Sequence, residues 1–211
     1  MQTSEHNLFT LLNSKGSVAK VLSCSELHKR AERIGNLLTE KGRVNTGDHV
    51  ALIFSPGLDL ICAFYGCLYV GAVPVTIRPP HPQNLQTTLP TVRMIVDVSK
   101  SVLILSTQAV IKLLRSKEAC GVIDIKSWPL ILDTDDMPKK KLLTSYRAPT
   151  PEMLAYLDFS VSTTGMLAGI KMSHAAVSDL CRSMKLACEL YPCRHIALCL
   201  DPYCGLGFAL W

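Results

Sequence analysis

The chain has 211 residues, enough for one large domain or one and a half small ones. Its 48% hydrophobic content against 18% charged residues excludes a disordered chain and calls for a substantial core. With 22 Lys and Arg against 17 Asp and Glu the chain is mildly basic. The Lys139–Lys141 run reads as a solvated loop, and no aromatic interleaving of the single-strand-binding kind accompanies it, so no nucleic-acid partner is expected.

In chain order, Met1 to Asn13 lacks the basic start and long apolar core of a secretory leader. Ser23 and Glu26 form a capping box. It opens a helix whose stripe is Leu27, Ala31, Ile34, Leu37 and Leu38. Gly42 and Gly47-Asp48 close that helix. The run Val50 to Ile77 is apolar enough to raise the question of a membrane span. Pro56-Gly57, Asp59, Gly71 and Pro74 punctuate it, however. The pattern predicts strand Val50–Phe54, helix Leu58–Val70 and strand Val73–Thr76, a βαβ unit buried on both faces. A helix over Leu89–Ser99, a strand over Val102–Leu105, a helix over Gln108–Glu118 and a strand near Leu130–Leu132 follow.

Asp133 to Pro151 reads as an exposed connector. The expected organisation is a first subdomain over 1–135, a connector over 136–150 and a further part over 151–211. That part comprises a strand at Leu154–Phe159, a loop from Ser160 to Gly169 and an extended piece at Ile170–Met172. A helix capped by Ser173 follows, running over Ala175–Glu189, then a strand at His195–Leu200. The class is α/β with a largely parallel sheet. The closing run Gly205 to Trp211 is apolar and uncapped, which suggests that the sequence is a piece of a longer protein.

Nine cysteines form no C-x-x-C pair, and Cys181, Cys188, Cys193, Cys199 and Cys204 have spacings unlike zinc sites. They predict free thiols, no metal site and an intracellular, cytoplasmic location. The isolated His6, His28, His49, His81 and His195 read as surface or packing residues.

The densest chemistry lies at Ser160, Ser162, Thr163, Thr164 and Gly165. A buried strand that empties into such a loop suits phosphate binding. Backbone N–H groups and hydroxyls can cradle phosphate oxygens, and glycine allows close approach. No Gly-Lys-Ser/Thr ends the loop, so it is not a Walker loop, and no G-x-G-x-x-G follows a strand. The alternative is a hydroxyl-rich turn with no ligand. His174 reads first as a packing residue at a helix start, and Asp158 and Asp201 as strand-end polar anchors or turn carboxylates.

Thr163, Thr164, Gly165, Gly169, Ser173 and His174 fall on a signature of adenylate-forming enzymes, a superfamily that the segment resembles. Val161-Ser162 stands where that signature has Ser-Gly, and Leu167-Ala168 where it has Pro-Lys. The missing lysine resembles fatty acyl-AMP ligases. So do the stretch from Gly47-Asp48 through Pro56-Gly57-Leu58-Asp59 and the Pro79-Pro80 pair. Leu157 to Gly169, Met184 to Tyr191 and Cys199 to Trp211 are similar to the disco-interacting protein 2 family. The resemblance extends over nearly the whole chain, which looks like the start of that family's second fatty acyl-AMP ligase-like domain.

The resemblance implies the N-terminal subdomains of the adenylate-forming fold, truncated, with ATP and magnesium serving the parent domain. It implies a fatty acid or other acyl carboxylate as substrate, possible protein partners, and links to lipid homeostasis and axon growth. Ser160, Ser162, Thr163, Thr164 and Gly165 would hold the phosphates. Tyr203, Cys204 and Gly205 stand where related ligases carry a histidine of the acyl and adenylate site. The adenine, magnesium and ribose motifs and the lysine domain of such ligases lie outside these residues, so the 211-residue piece alone is expected to be inactive. Two readings stay open: part of a ligase, or a degenerate ligase fold that binds lipid, nucleotide or protein without catalysis.

Overall fold

A computed structural model describes residues 5–137, 146–161, 166–191, 194–204 and 208, the side chains of residues 160 and 161 excepted. The βαβ unit forms as the pattern requires. Strand β3 (His49–Ile53) leads through helix α2 (Leu58–Tyr69) to β4 (Val73–Ile77), and the two strands pair in parallel from His49↔Val73 to Ile53↔Ile77. Both strands are apolar on both faces because helices cover both. Among the described residues no helix is long and apolar enough to cross a membrane.

Around this unit stands a six-stranded sheet of order β6-β5-β3-β4-β7-β8. Strands β5 (Leu103–Ser106), β6 (Leu130–Asp133) and β7 (Leu154–Val161) run parallel to it, and β8 (Leu167–Ser173) is an antiparallel edge. Even-numbered residues of β3 face one core with Leu27, Ile34 and Leu38 of α1 (Cys24–Glu40) and with Leu60 and Cys67 of α2. Odd-numbered ones face the other, with Leu89, Val92 and Val96 of α3 (Leu85–Val98), Val110 and Leu114 of α4 (Gln108–Leu114) and Ala119 of α5 (Lys117–Cys120). Helices α1 and α2 touch at Gly66, where a Cβ would come within 2.5 Å of Ile34 Cγ2.

The capping box of α1 is present in both directions. Glu26 N donates to Ser23 Oγ at 3.3 Å, and Ser23 N donates to Glu26 Oε2 at 3.1 Å.

Four elements differ from the expectation. A hairpin of β1 (Asn7–Leu12) and β2 (Val18–Ser23) precedes α1. Its alternation is hidden because Leu8, Leu11, Leu12 and Val18 are exposed, while Phe9 and Leu22 turn to the core. Helix α3 starts at Leu85 rather than Leu89, since Leu85 continues the buried stripe, and Pro90 sits within it on the exposed side. The expected helix over 108–118 is two, because Ser116 Oγ accepts from Ala119 N at 3.2 Å and restarts the turn. No strand forms at His195–Leu200: these residues are exposed and join neither sheet of the described residues, and a strand needs a ladder.

Candidate functional site

The parallel strands β3, β4 and β7 end on the same side of the sheet, and the strand order reverses beside β3, where β4 lies on one side and β5 on the other. Ligands of open α/β sheets sit outside the carboxyl ends of the strands at such a switch point. The segments that leave these ends are rigid or close-packed. Ser55-Pro56-Gly57 follows β3, Arg78-Pro79-Pro80-His81-Pro82 follows β4, and the β7–β8 hairpin stands beside them. They enclose a crevice of about 1130 Å3 that extends along α3 and α4.

The hairpin corrects the expected loop from Ser160 to Gly169. The ladder continues to Val161↔Leu167, so Leu167, Ala168 and Gly169 belong to β8. Gly169 serves packing: a Cβ there would lie 2.8 Å from Phe159 Cε1, so the missing side chain lets the Phe159 ring lie on the strand. Ser160 is in β7, paired with Ala168. Ser162, Thr163, Thr164 and Gly165 lie outside the described residues. The described residues on either side of them, Phe159 of β7 and Leu167 of β8, line the crevice.

A second structure closes the rim. In the Asp201–Cys204 turn, Tyr203 N donates to Asp201 Oδ1 at 2.9 Å, and the Tyr203 hydroxyl donates to the Phe54 carbonyl at 2.5 Å. Arg78, at the end of β4, donates to Asp201 Oδ2 at 2.5 Å and to Cys204 Sγ at 3.2 Å. Its guanidinium lies 5.6 Å from the Tyr203 ring centroid. Partial burial pushes the Asp201 carboxyl up, but the Tyr203 N–H and the Arg78 guanidinium win and hold it below its ordinary value. Burial drives the Tyr203 phenol well above its ordinary value, so it donates as a neutral hydroxyl. Asp201 is thus an anchor that ties this turn to β4. Tyr203 and Cys204 both line the crevice.

Asp158 sits on β7 beside β4. Burial raises its pKa, opposed by the Phe159 N–H at 2.9 Å and by the Thr76 hydroxyl. Thr76 Oγ1 lies near this carboxylate but is buried without a hydrogen bond of good geometry. His174 opens helix α6 (His174–Ala187), its N–H bonded to the Met153 carbonyl at 3.0 Å. Desolvation lowers its pKa, and it is not among the described crevice walls.

Arg78 and the threonines of α3 were not anticipated as site residues. A cation directly after a buried parallel strand and before Pro79-Pro80 was the readable signal for Arg78. The threonines gave none, because only the lie of α3 along the crevice makes a wall of Thr87, Thr88 and Thr91. Eight cysteines among the described residues are free thiols, and no three His, Cys, Asp or Glu side chains among those residues gather into a metal site.

This fold and crevice define a class. Residues 10–211 match the AMP-binding enzyme family, and the chain belongs to it. Among curated relatives, it is 69% identical to disco-interacting protein 2 homolog A of Homo sapiens over 209 residues, 99% of this chain and 13% of that protein. It is 67% identical to disco-interacting protein 2 of Drosophila melanogaster over 207 residues, 98% of this chain and 12% of that protein. The resemblance to that family seen in the sequence therefore holds, and the chain spans about an eighth of those relatives. Among solved structures, it resembles the fatty acyl-adenylate ligase from L. pneumophila in complex with acyl adenylate and pyrophosphate. The TM-score is 0.78 at 25% identity, covering 95% of this chain and 33% of that one. The N-terminal part of the adenylate-forming fold is thus the architecture described above.

Proposed function

We propose that this chain is part of a fatty acyl-AMP ligase-like domain that brings a fatty acid carboxylate to ATP and forms an acyl-adenylate. The observation that carries the reading is the β7–β8 hairpin. Its described ends, Phe159 of β7 and Leu167 of β8, line a crevice at the carboxyl ends of a parallel sheet, whose described walls include Arg78 and Lys112 and no Asp or Glu. Such walls suit anionic ligands. In this reading Ser160, Ser162, Thr163, Thr164 and Gly165 hold the phosphates and steady charge as pyrophosphate leaves. When bound, ATP supplies the adenylyl group, and magnesium offsets phosphate charge. Tyr203, Arg78 and Asp201 fix the rim against which the acyl end is placed. Exposed free thiols at Cys120, Cys181, Cys188, Cys199 and Cys204 support a reducing, intracellular setting.

A second reading, a binding module without catalysis, is favoured by Ala168, which lies in the β8 ladder where the ligase signature has a lysine, and by Cys204 in place of a histidine. The test is pyrophosphate release by the full-length protein with ATP and a panel of fatty acids, beside a Thr163→Ala/Thr164→Ala double variant. Release that needs fatty acid and collapses in the variant supports the ligase. No release from folded protein overturns it in favour of the binding module.

A further inference from the structure

Of the free thiols described, Cys204 stands in a setting of its own. It is exposed at the rim of the crevice, and Arg78 Nη2 donates to its sulfur at 3.2 Å. Cys62 also feels a cation, Arg30, but it is buried, and burial pushes its thiol up. Thiols react as their anions, so a reactive thiol needs a neighbouring cation and an open path together. Among the described cysteines, Cys204 combines the two. Arg78 is shared, however: the same nitrogen donates to the Asp201 carboxylate, which offsets part of its charge.

A second observation points to a small polar ligand in the same crevice. Thr76 lines it and is only 3% exposed, and its hydroxyl has no hydrogen-bond partner of good geometry. A buried hydroxyl left unpaired is costly, and a ligand that both donates and accepts would satisfy it. Thr76 and Arg78 are two residues apart on one strand run, which puts them on the same face. Hydrogen peroxide both donates and accepts, and it fits between a hydroxyl and a guanidinium.

We propose that Cys204 is a site of reversible oxidation by hydrogen peroxide, with Arg78 and Thr76 holding the peroxide oxygens. The thiolate sulfur attacks one peroxide oxygen, and the S–O bond forms as the O–O bond breaks. Sulfur loses two electrons and peroxide gains them. The leaving hydroxide takes up the proton that the thiol gave, so a sulfenic acid and one water result. The guanidinium faces the charge at both stages, first on sulfur and then on the departing oxygen. Small thiols return a sulfenic acid to the thiol through a mixed disulfide, so the mark at the crevice rim is reversible. No nucleotide or acyl group takes part, and the proposal does not rest on the ligase reading.

The experiment treats the reduced full-length protein with hydrogen peroxide, traps sulfenic acid with dimedone and reads each cysteine by peptide mass spectrometry. Cys204 should be labelled about tenfold faster than the exposed Cys120, Cys181, Cys188 and Cys199, the worth of one charge-assisted hydrogen bond. Arg78→Gln should lose about that tenfold. Asp201→Asn keeps an acceptor for the Tyr203 N–H and frees Arg78 of its competing carboxylate, so labelling there should hold or rise. Thr76→Val keeps the shape and removes the hydroxyl. It should slow oxidation about fivefold, the worth of a neutral hydrogen bond, and leave alkylation of Cys204 by iodoacetamide unchanged, since alkylation has no peroxide oxygen to hold.

Labelling spread evenly over the exposed cysteines overturns the site. Equal losses in Asp201→Asn and Arg78→Gln overturn the part given to the cation, because the turn and not the charge would then set the rate. Alkylation slowed by Thr76→Val as much as oxidation overturns the part given to the hydroxyl. Labelling that survives dithiothreitol added before dimedone overturns reversibility.

Discussion

Strand β3 and the hairpin edge β8 with α6 belong to one chain and answer to different physics. Val50, Ala51, Leu52, Ile53 and Phe54 are all 0% exposed, with cores on both sides. Helix α6 has no buried residue among these 211, and Ile170 of β8 is 49% exposed. The crevice nevertheless reaches this edge, where Phe159 of β7 and Leu167 of β8 line it. The interior of the sheet fixes where the strand ends point, and in the proposed reading the edge carries the groups that meet a ligand. Stability and function should therefore separate under mutation.

The largest effect expected is in β3. Leu52→Ala removes a fully buried side chain packed in the core beneath α1 and α2 and should cost about 2–5 kcal/mol, read from urea titration of the AMP-binding domain. Ile170→Ala on β8 should stay within about 0.5 kcal/mol. Equal losses at the two positions would break the contrast between interior and edge.

Next is the contact of α1 with α2. Gly66 is needed for space, since a Cβ there would lie 2.5 Å from Ile34 Cγ2 and 2.7 Å from its Cβ. Gly66→Leu should cost about 1–3 kcal/mol or more, because a packed interface must open. Ser23→Ala, which removes one half of the capping box, should cost about 1 kcal/mol. Thermal denaturation of both variants ranks them. A Ser23→Ala loss above that for Gly66→Leu would show that the cap, and not the close approach, holds α1 in place.

The interior was legible in the sequence because burial on both faces writes a continuous apolar run, Pro56-Gly57 marks where strand becomes helix, and Gly71 where helix becomes strand. The capping box at Ser23 is a local rule that was met locally. The edge was less legible. Leu167 to Gly169 look like loop because their glycine and small side chains say nothing of a ladder that only Phe159 and Ala168's partner Ser160 create. The split at Ser116 is a single hydroxyl outcompeting a helical run. Ile196, Leu198 and Leu200 alternate like a strand, but pairing is a tertiary event that alternation cannot supply. Of the site, the hydroxyl-rich motif was readable as a motif, whereas Arg78 matters only through the Asp201–Cys204 turn it meets.

Arg78 tests the edge with a smaller expected effect on folding. Its pair with Asp201 is solvent-exposed, 52% and 37% at the two side chains, and such pairs contribute about 0–1 kcal/mol. Arg78→Gln should therefore leave the urea midpoint nearly unchanged while it loosens the Asp201–Cys204 turn, seen as faster hydrogen exchange at the Tyr203 amide. Unchanged exchange there would mean that the Tyr203 hydroxyl on the Phe54 carbonyl holds the turn by itself.

The smallest expected effect is a pH slope at Asp158, where interior and edge meet. Burial against β4 raises this carboxyl above its ordinary 3.8, despite the Phe159 N–H and the Thr76 hydroxyl. A raised acid binds its proton more tightly when folded. Its contribution to stability is therefore fully present below 3.8 and is lost as pH rises through the raised folded value. Asp158→Asn keeps the shape and removes the charge, so the variant should gain on the parent protein as pH rises through that window and hold the gain at neutral pH. Urea midpoints of both proteins from mildly acidic to neutral pH give the difference. A gap that narrows with rising pH would mean that the carboxylate is stabilised where it sits, which would place a cation or an anion-binding cradle beside β7.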